Sequence, residues 1–335
     1  RLGLGYLVPH GRIRRPRDLL ASTQAQRLRL ACEDLGVTFI KLGQILSTRV
    51  DLLPADMAAE LARLHDAIPP EPLEVIEATI ARELGRPPAE VYARLDPEPL
   101  GSASIGQVHA ARLITGEEVV VKVQRPGVEE RVEEDLAILM DMARLAEAHT
   151  AWGRVHDLQA IVEEFGETLR GELDYVREGH NAERIAQSFA HESRLRVPAI
   201  YWPYTTRRVL TMERLHGIKI TDTEALRAAG VDLHRLSTDA LLIGFKMVLE
   251  DGFYHADPHP GNMLVGRDQV VSLLDYGMVG VMDRQTQQSF VLLLLAVVER
   301  DAARVLDQLL ALGVSSTTLH LEHLRRDIER VLAPF

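Results

Sequence analysis

Two short stretches near the end of the chain restrict its fold more than any other feature. Residues 255–262 read HADPHPGN, and residues 273–277 read LLDYG. Proline fixes φ and glycine permits positive φ, so HADPHPGN is a rigid, irregular loop rather than a helix or strand. Inside it, Asp257 and Asn262 stand five positions apart, and Asp275 follows Asp257 by 275 − 257 = 18 positions. For an isolated Asp-Pro, an Asx-type turn is the ordinary explanation. The intervening NMLVGRDQVVSLLDYG reads as a β-hairpin turning at Gly266-Arg267-Asp268, which leaves Asp275 at the end of an apolar hairpin.

The 335 residues, 46% hydrophobic and 26% charged, suffice for two or more lobes with their own cores. A net charge of −11 argues against a nonspecific nucleic-acid binder, which needs a basic surface to displace counterions. Arg12, Arg14, Arg15 and Arg17 form a local basic stretch, read as a solvated tail in preference to a contact with anionic lipid. The single cysteine, Cys32, excludes an internal disulfide or a cysteine metal cluster and fits a reducing compartment. No signal-peptide pattern is found. The longest apolar run, FVLLLLAVV at 290–298, is about half the ~20 residues of a spanning helix and reads as a buried helix.

Residues 24–66 read as helices. Phe39, Leu42 and Leu46 share one stripe, and Lys41, Gln44 and Thr48 another. Further along, LPADMAAELARLHDAIPP has Pro54 near its start, Asp56 as a cap and a double-proline stop, and PLEVIEATIARELG ends at Gly85. From about residue 99 the pattern becomes β-like, and SIGQVHAARLITGEEVVVKVQRPG reads as two strands joined at Thr115-Gly116. Long helices over 128–149 and 157–190, a strand in RVLTMERLHG, an apolar helix in STDALLIGFKMVLEDGF and a helical last fifty residues complete the pass. There is no internal repeat or low-complexity tract.

The chemistry-bearing residues fall in one order. In GSASIGQV, residues 101–108, Gly101, Ala103 and Gly106 occupy the small positions of a G-x-G-x-x-G pattern, with Ser102 and Ser104 between them and Val108 after. Small residues let backbone N–H groups approach phosphate oxygens. Lys122 follows in VVVKV. A lone strand lysine more often faces solvent, but behind a phosphate-type loop it resembles the lysine that holds ATP's α- and β-phosphates. GELDYVREGHN then supplies Glu172, Asp174 and Glu178; on a regular helix Asp174, Glu178 and Asn181 share a face and Glu172 points elsewhere. Last come D-x-x-x-x-N and D-Y-G, in which Asp257 would orient the nucleophile while Asn262 and Asp275 hold Mg²⁺. His255 and His259 have no third ligand at a zinc spacing and are read as structural. Each element alone has a bland explanation; their joint order points to a two-lobed α+β fold of protein-kinase type.

On these motifs, the chain resembles the AarF/UbiB atypical kinases, a family linked to isoprenoid quinone biosynthesis. The likeness rests on KLGQ at 41–44, SASIGQVH at 102–109, VVKVQRPG at 120–127, ELDY at 172–175, HADPHPGN and LLDYG, and covers almost the whole chain. It implies an N-terminal helical extension (1–89) covering the cleft, a kinase-like N-lobe with inserted helices (90–214) and a mostly helical C-lobe (215–335). Lys41 and Gln44 would then reach the cleft, where a close backbone approach would explain Gly43. Either Glu172 or Glu178 could pair with Lys122; Glu178 is the choice, with Glu172 nearer Lys41. Met212, Glu213 and Arg214 would form the strand linking the lobes, where backbone groups meet adenine. The family's loop is alanine-rich; this chain departs with Gly101 and Ser102 and keeps Ala103 and Ser104, which leaves the balance of kinase and ATPase activity open.

The resemblance implies ATP or ADP and Mg²⁺ as ligands, and hydrolysis or transfer to a small molecule or lipid in support of ubiquinone-type synthesis. Implied partners are a lipid or quinone precursor and quinone-biosynthesis enzymes. The location would be cytoplasmic and peripheral to a membrane, with any anchor outside these residues. No A-P-E motif follows Asp275-Tyr276-Gly277, which argues against an ordinary protein kinase. The alternative is a noncatalytic, nucleotide-gated scaffold (a pseudokinase) organising membrane-associated enzymes. A third reading, an antibiotic-phosphotransferase-like enzyme, shares the catalytic loop but not the K-x-G-Q helix.

Overall fold

A computed structural model describes residues 23–48, 53–64, 69–150, 157–313 and 321–333. The basic stretch from Arg12 to Arg17 lies outside them. The described residues form two compact units, one running to Gly179 and including Ala199–Arg214, the other comprising His180–Pro198 and the residues from Leu215 onward.

The first unit opens with three helices, α1 (Gln24–Leu35), α2 (Val37–Thr48) and α3 (Ala55–Leu61). Thr23 and Gln26 form a capping box on α1. Pro54 caps α3 without a side-chain bond and Asp56 sits in the first turn, so Asp56 is not the cap that its position suggested. Helix α4 (Leu73–Leu84) ends at left-handed Gly85 and lies against a four-stranded antiparallel sheet of order β1-β2-β3-β5. Its strands are β1 (Tyr92–Ser102), β2 (Gly106–Leu113), β3 (Glu118–Gln124) and β5 (Val209–Glu213). Ile76 and Ile80 of α4 pack with Val119, Val121, Val123 and Val209 to make the core.

Strand β1 starts seven residues before the expected change of pattern, 99 − 92. Pro97 and Pro99 conceal it, because proline cannot join a ladder on both sides; β1 is an edge strand with irregular register at these positions, where that loss is tolerated. Helices α5 (Val128–His149) and α6 (Leu158–Glu172) pack through Val132, Leu136, Phe165 and Leu169. The single helix expected over 157–190 is two, because the chain breaks at Leu173-Asp174 before α7 (Tyr175–Ser188).

The second unit holds two small sheets. One has the order β4-β9-β8-β6, from β4 (Leu195–Arg196), β6 (Ile218–Lys219), β8 (Met263–Val265) and β9 (Val271–Leu273). The other pairs β7 (Phe253–His255) with β10 (Val279–Val281). Helices α8 (Thr223–Ala228) and α9 (Leu233–Phe245) precede them, and α10 (Arg284–Val298), α11 (Ala302–Ala311) and α12 (Leu321–Leu332) follow. Asp232 caps α9, which begins earlier than the apolar run and continues as a π-helical turn over Lys246–Asp251, ended by left-handed Gly252. The run at 290–298 is helical but not buried throughout: Ala296 is enclosed, while Leu292, Leu295, Val297 and Val298 are exposed. No helix of the described residues is long and apolar enough to cross a membrane.

Candidate functional site

In the first unit, the small residues gather at the β1–β2 turn: Gly101 and Ser102 end β1, Ala103 and Ser104 lie in the turn, and Gly106 begins β2. Gly101 pairs with Val108 and Ser102 with Gln107, and the Ala103 N–H closes the turn onto the Gly106 carbonyl at 2.8 Å. The two glycines differ. A β-carbon on Gly106 would lie 2.7 Å from the Val123 carbonyl oxygen and 2.6 Å from the Tyr175 hydroxyl, whereas one on Gly101 would meet nothing within 4 Å. Close backbone approach therefore requires glycine only at Gly106. Ser104 is fully buried.

Lys122 sits in mid-strand, opposite Val108 on one side and Leu210 on the other. Alternation turns Val121 and Val123 into the core beneath α4 and places Lys122 on the opposite face, where it is enclosed rather than solvated. Its ammonium pairs with Glu178 of α7. Lys41 of α2 pairs with Glu172 at 3.1 Å. The break at Leu173-Asp174 separates the two glutamates onto different helices. Asp174 lies before α7 and accepts the Arg177 N–H at 3.0 Å, so it acts as a cap instead of sharing a face with Glu178 and Asn181.

Helix α2 is tied to α5 by Thr38, whose hydroxyl donates to Asp135 at 2.6 Å. Gln44 extends its amide toward the Leu64 carbonyl, 3.4 Å away. At Gly43 the nearest neighbours within 4 Å are side chains. An added β-carbon would collide with Leu64 Cδ1 and would meet Leu61 Cδ2 at 3.4 Å and Cys32 Sγ at 3.5 Å. The glycine therefore accommodates close packing of α2 against α1, α3 and Leu64. On β5, Met212 pairs with Val120 and Glu213 with Val119. The Glu213 N–H donates to Ala199 O at 2.8 Å and the Arg214 N–H to Glu118 O at 3.1 Å, so adenine could use these donors only by exchanging existing bonds.

In the second unit, His255 clips the two acidic segments together. The Asp257 N–H donates to His255 Nδ1 at 3.1 Å, and His255 Nε2 lies 2.7 Å from the Asp275 carbonyl. These partners set the tautomer, with the ring proton on Nε2. The Leu274 N–H adds a second tie, to Asn262 O at 3.0 Å. His259 accepts the Gly261 N–H on Nδ1, which stiffens the turn. Tyr276 is fully buried, donates to Leu273 O at 3.1 Å, and accepts at its carbonyl from the Asn181 side chain at 3.0 Å. Asp275 accepts the Gly277 N–H at 2.9 Å. The ties of His255 to Asp275 and of Asn181 to Tyr276 have no local signature beyond their motif positions, because the partners lie 20 and 95 positions apart.

Among the described residues, the Asp257 and Asn262 side chains make no hydrogen bond or ion pair, although the backbone around them is fixed. Asn262 and Asp275 offer hard oxygen donors, which suit Mg²⁺, an ion that keeps waters and substrate oxygens in its shell. No group of three His, Cys, Asp or Glu suited to a metal occurs among the described residues, so a zinc-type set is not formed there.

Comparison with known proteins bears on the family and the fold. Residues 63–309 match the ABC1 atypical kinase-like domain. The chain is 45% identical over 306 residues to a protein of Azotobacter vinelandii named "Probable protein kinase UbiB", covering 90% of this chain and 57% of that one. An uncharacterized protein of Synechocystis sp. is 42% identical over 313 residues, 93% of this chain and 54% of its own. The chain thus spans a little over half the length of these relatives. Among solved structures, Rv3197 of Mycobacterium tuberculosis, in complex with erythromycin, superposes with a TM-score of 0.63 at 24% identity, covering 95% of this chain and 80% of that one, a likeness of fold. With the motif order, the kinase-type elements and these relatives in agreement, the chain belongs to the AarF/UbiB family of ABC1 atypical kinase-like proteins.

Proposed function

We propose that this protein binds Mg²⁺-ATP and either hydrolyses it or transfers its γ-phosphoryl group to a small molecule or lipid, in support of isoprenoid quinone synthesis at a membrane surface. The observation that carries this reading is the buried pair of Lys122 and Glu178. Burying two charges costs several kcal/mol per ion before their attraction is counted, about as much as a packed apolar pair would avoid. An ammonium fixed beside a small-residue loop gives that cost a use, because it can hold phosphate oxygens.

In this scheme Lys122 holds the α- and β-phosphates while Glu178 orients its ammonium, and the Gly101–Gly106 loop approaches them through its backbone. Asp257 orients the attacking water or hydroxyl and takes its proton. The new bond forms between that oxygen and the γ-phosphorus, the bond to the bridging oxygen breaks, and ADP departs. With water as acceptor the products are ADP, phosphate and a proton. Asn262 and Asp275 would hold Mg²⁺, which supplies charge neutralisation at the phosphate oxygens. His255 keeps the Asp257 and Asp275 segments in register.

Transfer to proteins is disfavoured by the short interval after the acidic motif. Only 283 − 275 = 8 positions separate Asp275 from Asp283, the cap of α10. The quinone role is taken from the likeness to the UbiB proteins. Phosphate release from Mg²⁺-ATP, measured with and without anionic liposomes against Asp275→Asn, tests the scheme. Release that depends on Asp275 supports it. Tight nucleotide binding with no release under either condition would instead make the same residues a nucleotide-gated switch.

A further inference from the structure

Arg125, three residues after Lys122 on the same chain run, has no part in the chemistry above, yet its guanidinium is the centre of the contacts around the small-residue loop. Its Nε donates to Ala103 O at 3.1 Å, and one terminal nitrogen to Ser102 Oγ at 2.9 Å and Pro69 O at 2.9 Å. The other terminal nitrogen pairs with Glu71 Oε1 at 2.8 Å. The Arg125 backbone N–H donates to the Ile105 carbonyl at 2.9 Å. One residue thus binds the loop at 102, 103 and 105, and ties it to the segment before α4.

That segment, residues 69–72, reads Pro-Pro-Glu-Pro, so its backbone is stiff. It is anchored independently: the Glu71 N–H donates to Gln107 Oε1 at 2.8 Å, and the Gln107 amide nitrogen lies 2.7 Å from Nε2 of fully buried His109. His109 Nδ1 in turn reaches Asp96 O at 2.7 Å, which places its proton on Nδ1 and leaves Nε2 to accept from Gln107. The loop held this way keeps the Ser104 hydroxyl buried without a hydrogen-bond partner among the described residues, an unfavourable arrangement on its own.

We propose that Arg125 is a positioning residue: its guanidinium latches the 101–106 loop to the proline segment and so sets where the loop meets the phosphates of a bound nucleotide. The latch itself follows from geometry; its effect on nucleotide rests on the function proposed above. Lysine keeps the charge but not the planar fork, and its compact ammonium cannot span these acceptors.

The test compares Arg125→Lys and Glu71→Gln with the unaltered protein, by hydrogen exchange of amides 102–106 and by calorimetric binding of Mg²⁺-ADP. Arg125→Lys is expected to speed loop exchange by about tenfold or more, leave β3 protection unchanged, and weaken Mg²⁺-ADP by about tenfold. Glu71→Gln, the gentler change, is expected to shift both in the same direction by less. Loop exchange within about twofold of the unaltered protein in both variants overturns the latch. Faster exchange with unchanged affinity overturns its role toward nucleotide. Failure of the unaltered protein to bind Mg²⁺-ADP would overturn the nucleotide reading itself, while the exchange data still decide the latch.

Discussion

Lys122 and Glu178 stand 56 residues apart in sequence and meet as an ion pair with side chains only 10% and 5% exposed. The strand supplies the cation from the face opposite its valine core, between Val120 and Gln124, and α7 supplies the anion one turn into its length. Removing either partner leaves an uncompensated buried charge. Lys122→Met is therefore expected to cost about 3–5 kcal/mol in urea unfolding, and Lys122→Met with Glu178→Leu to recover most of it. A single variant within about 1 kcal/mol of the parent would show that the pair is not held as described.

Tyr92 provides a pH signature. Burial pushes its phenol up to about 12, against the opposing pull of its hydrogen bond to Thr211, 2.8 Å away. The folded state then keeps a proton that the unfolded state loses near pH 10. The contribution is complete below pH 10 and is lost as pH rises toward 12, about 3 kcal/mol in all. Tyr92→Phe should flatten the stability curve over that interval relative to the parent; parallel curves would exclude the effect.

The two loop glycines should respond differently to alanine. Gly106→Ala forces a β-carbon against the Val123 carbonyl and is expected to cost about 1–3 kcal/mol by thermal or chemical denaturation. Gly101→Ala has open space and should stay within about 0.5 kcal/mol of the parent. Equal losses would mean that the β1–β2 turn is built differently.

Asp257→Asn separates binding from chemistry. Its backbone bonds to His255 and His259 do not involve the carboxylate, so the turn should persist. Turnover of Mg²⁺-ATP is expected to fall by about 10²–10⁴-fold, with nucleotide affinity nearly unchanged. Unaltered turnover would remove Asp257 from its assigned role.

The elements that the sequence made legible are those whose causes lie within a few residues. The β2–β3 hairpin follows from alternation and Gly116, α4 from its apolar spacing and Gly85, and the order of loop, lysine, carboxylates and D-x-x-x-x-N from composition and motif alone. Strand β1 escaped because prolines are tolerated at a sheet edge, and edge position is a property of the whole sheet. The break between Glu172 and Tyr175 escaped because the charge pattern runs through it. That break puts Glu172 beside Lys41 and Glu178 beside Lys122.

The chain's residues by themselves determined a mixed fold of kinase type and singled out the side chains to which chemistry is assigned in the proposal, since periodicity, turn chemistry and motif spacing are local. Tertiary structure turned the choice of Glu178 for Lys122 and of Glu172 for Lys41 into contacts, and alone decided that Gly43 packs toward Leu64 and that Arg125 reaches from Ala103 to Pro69. These are contacts between segments distant in sequence, and their geometry is set by how strands and helices pack rather than by any residue's own propensity.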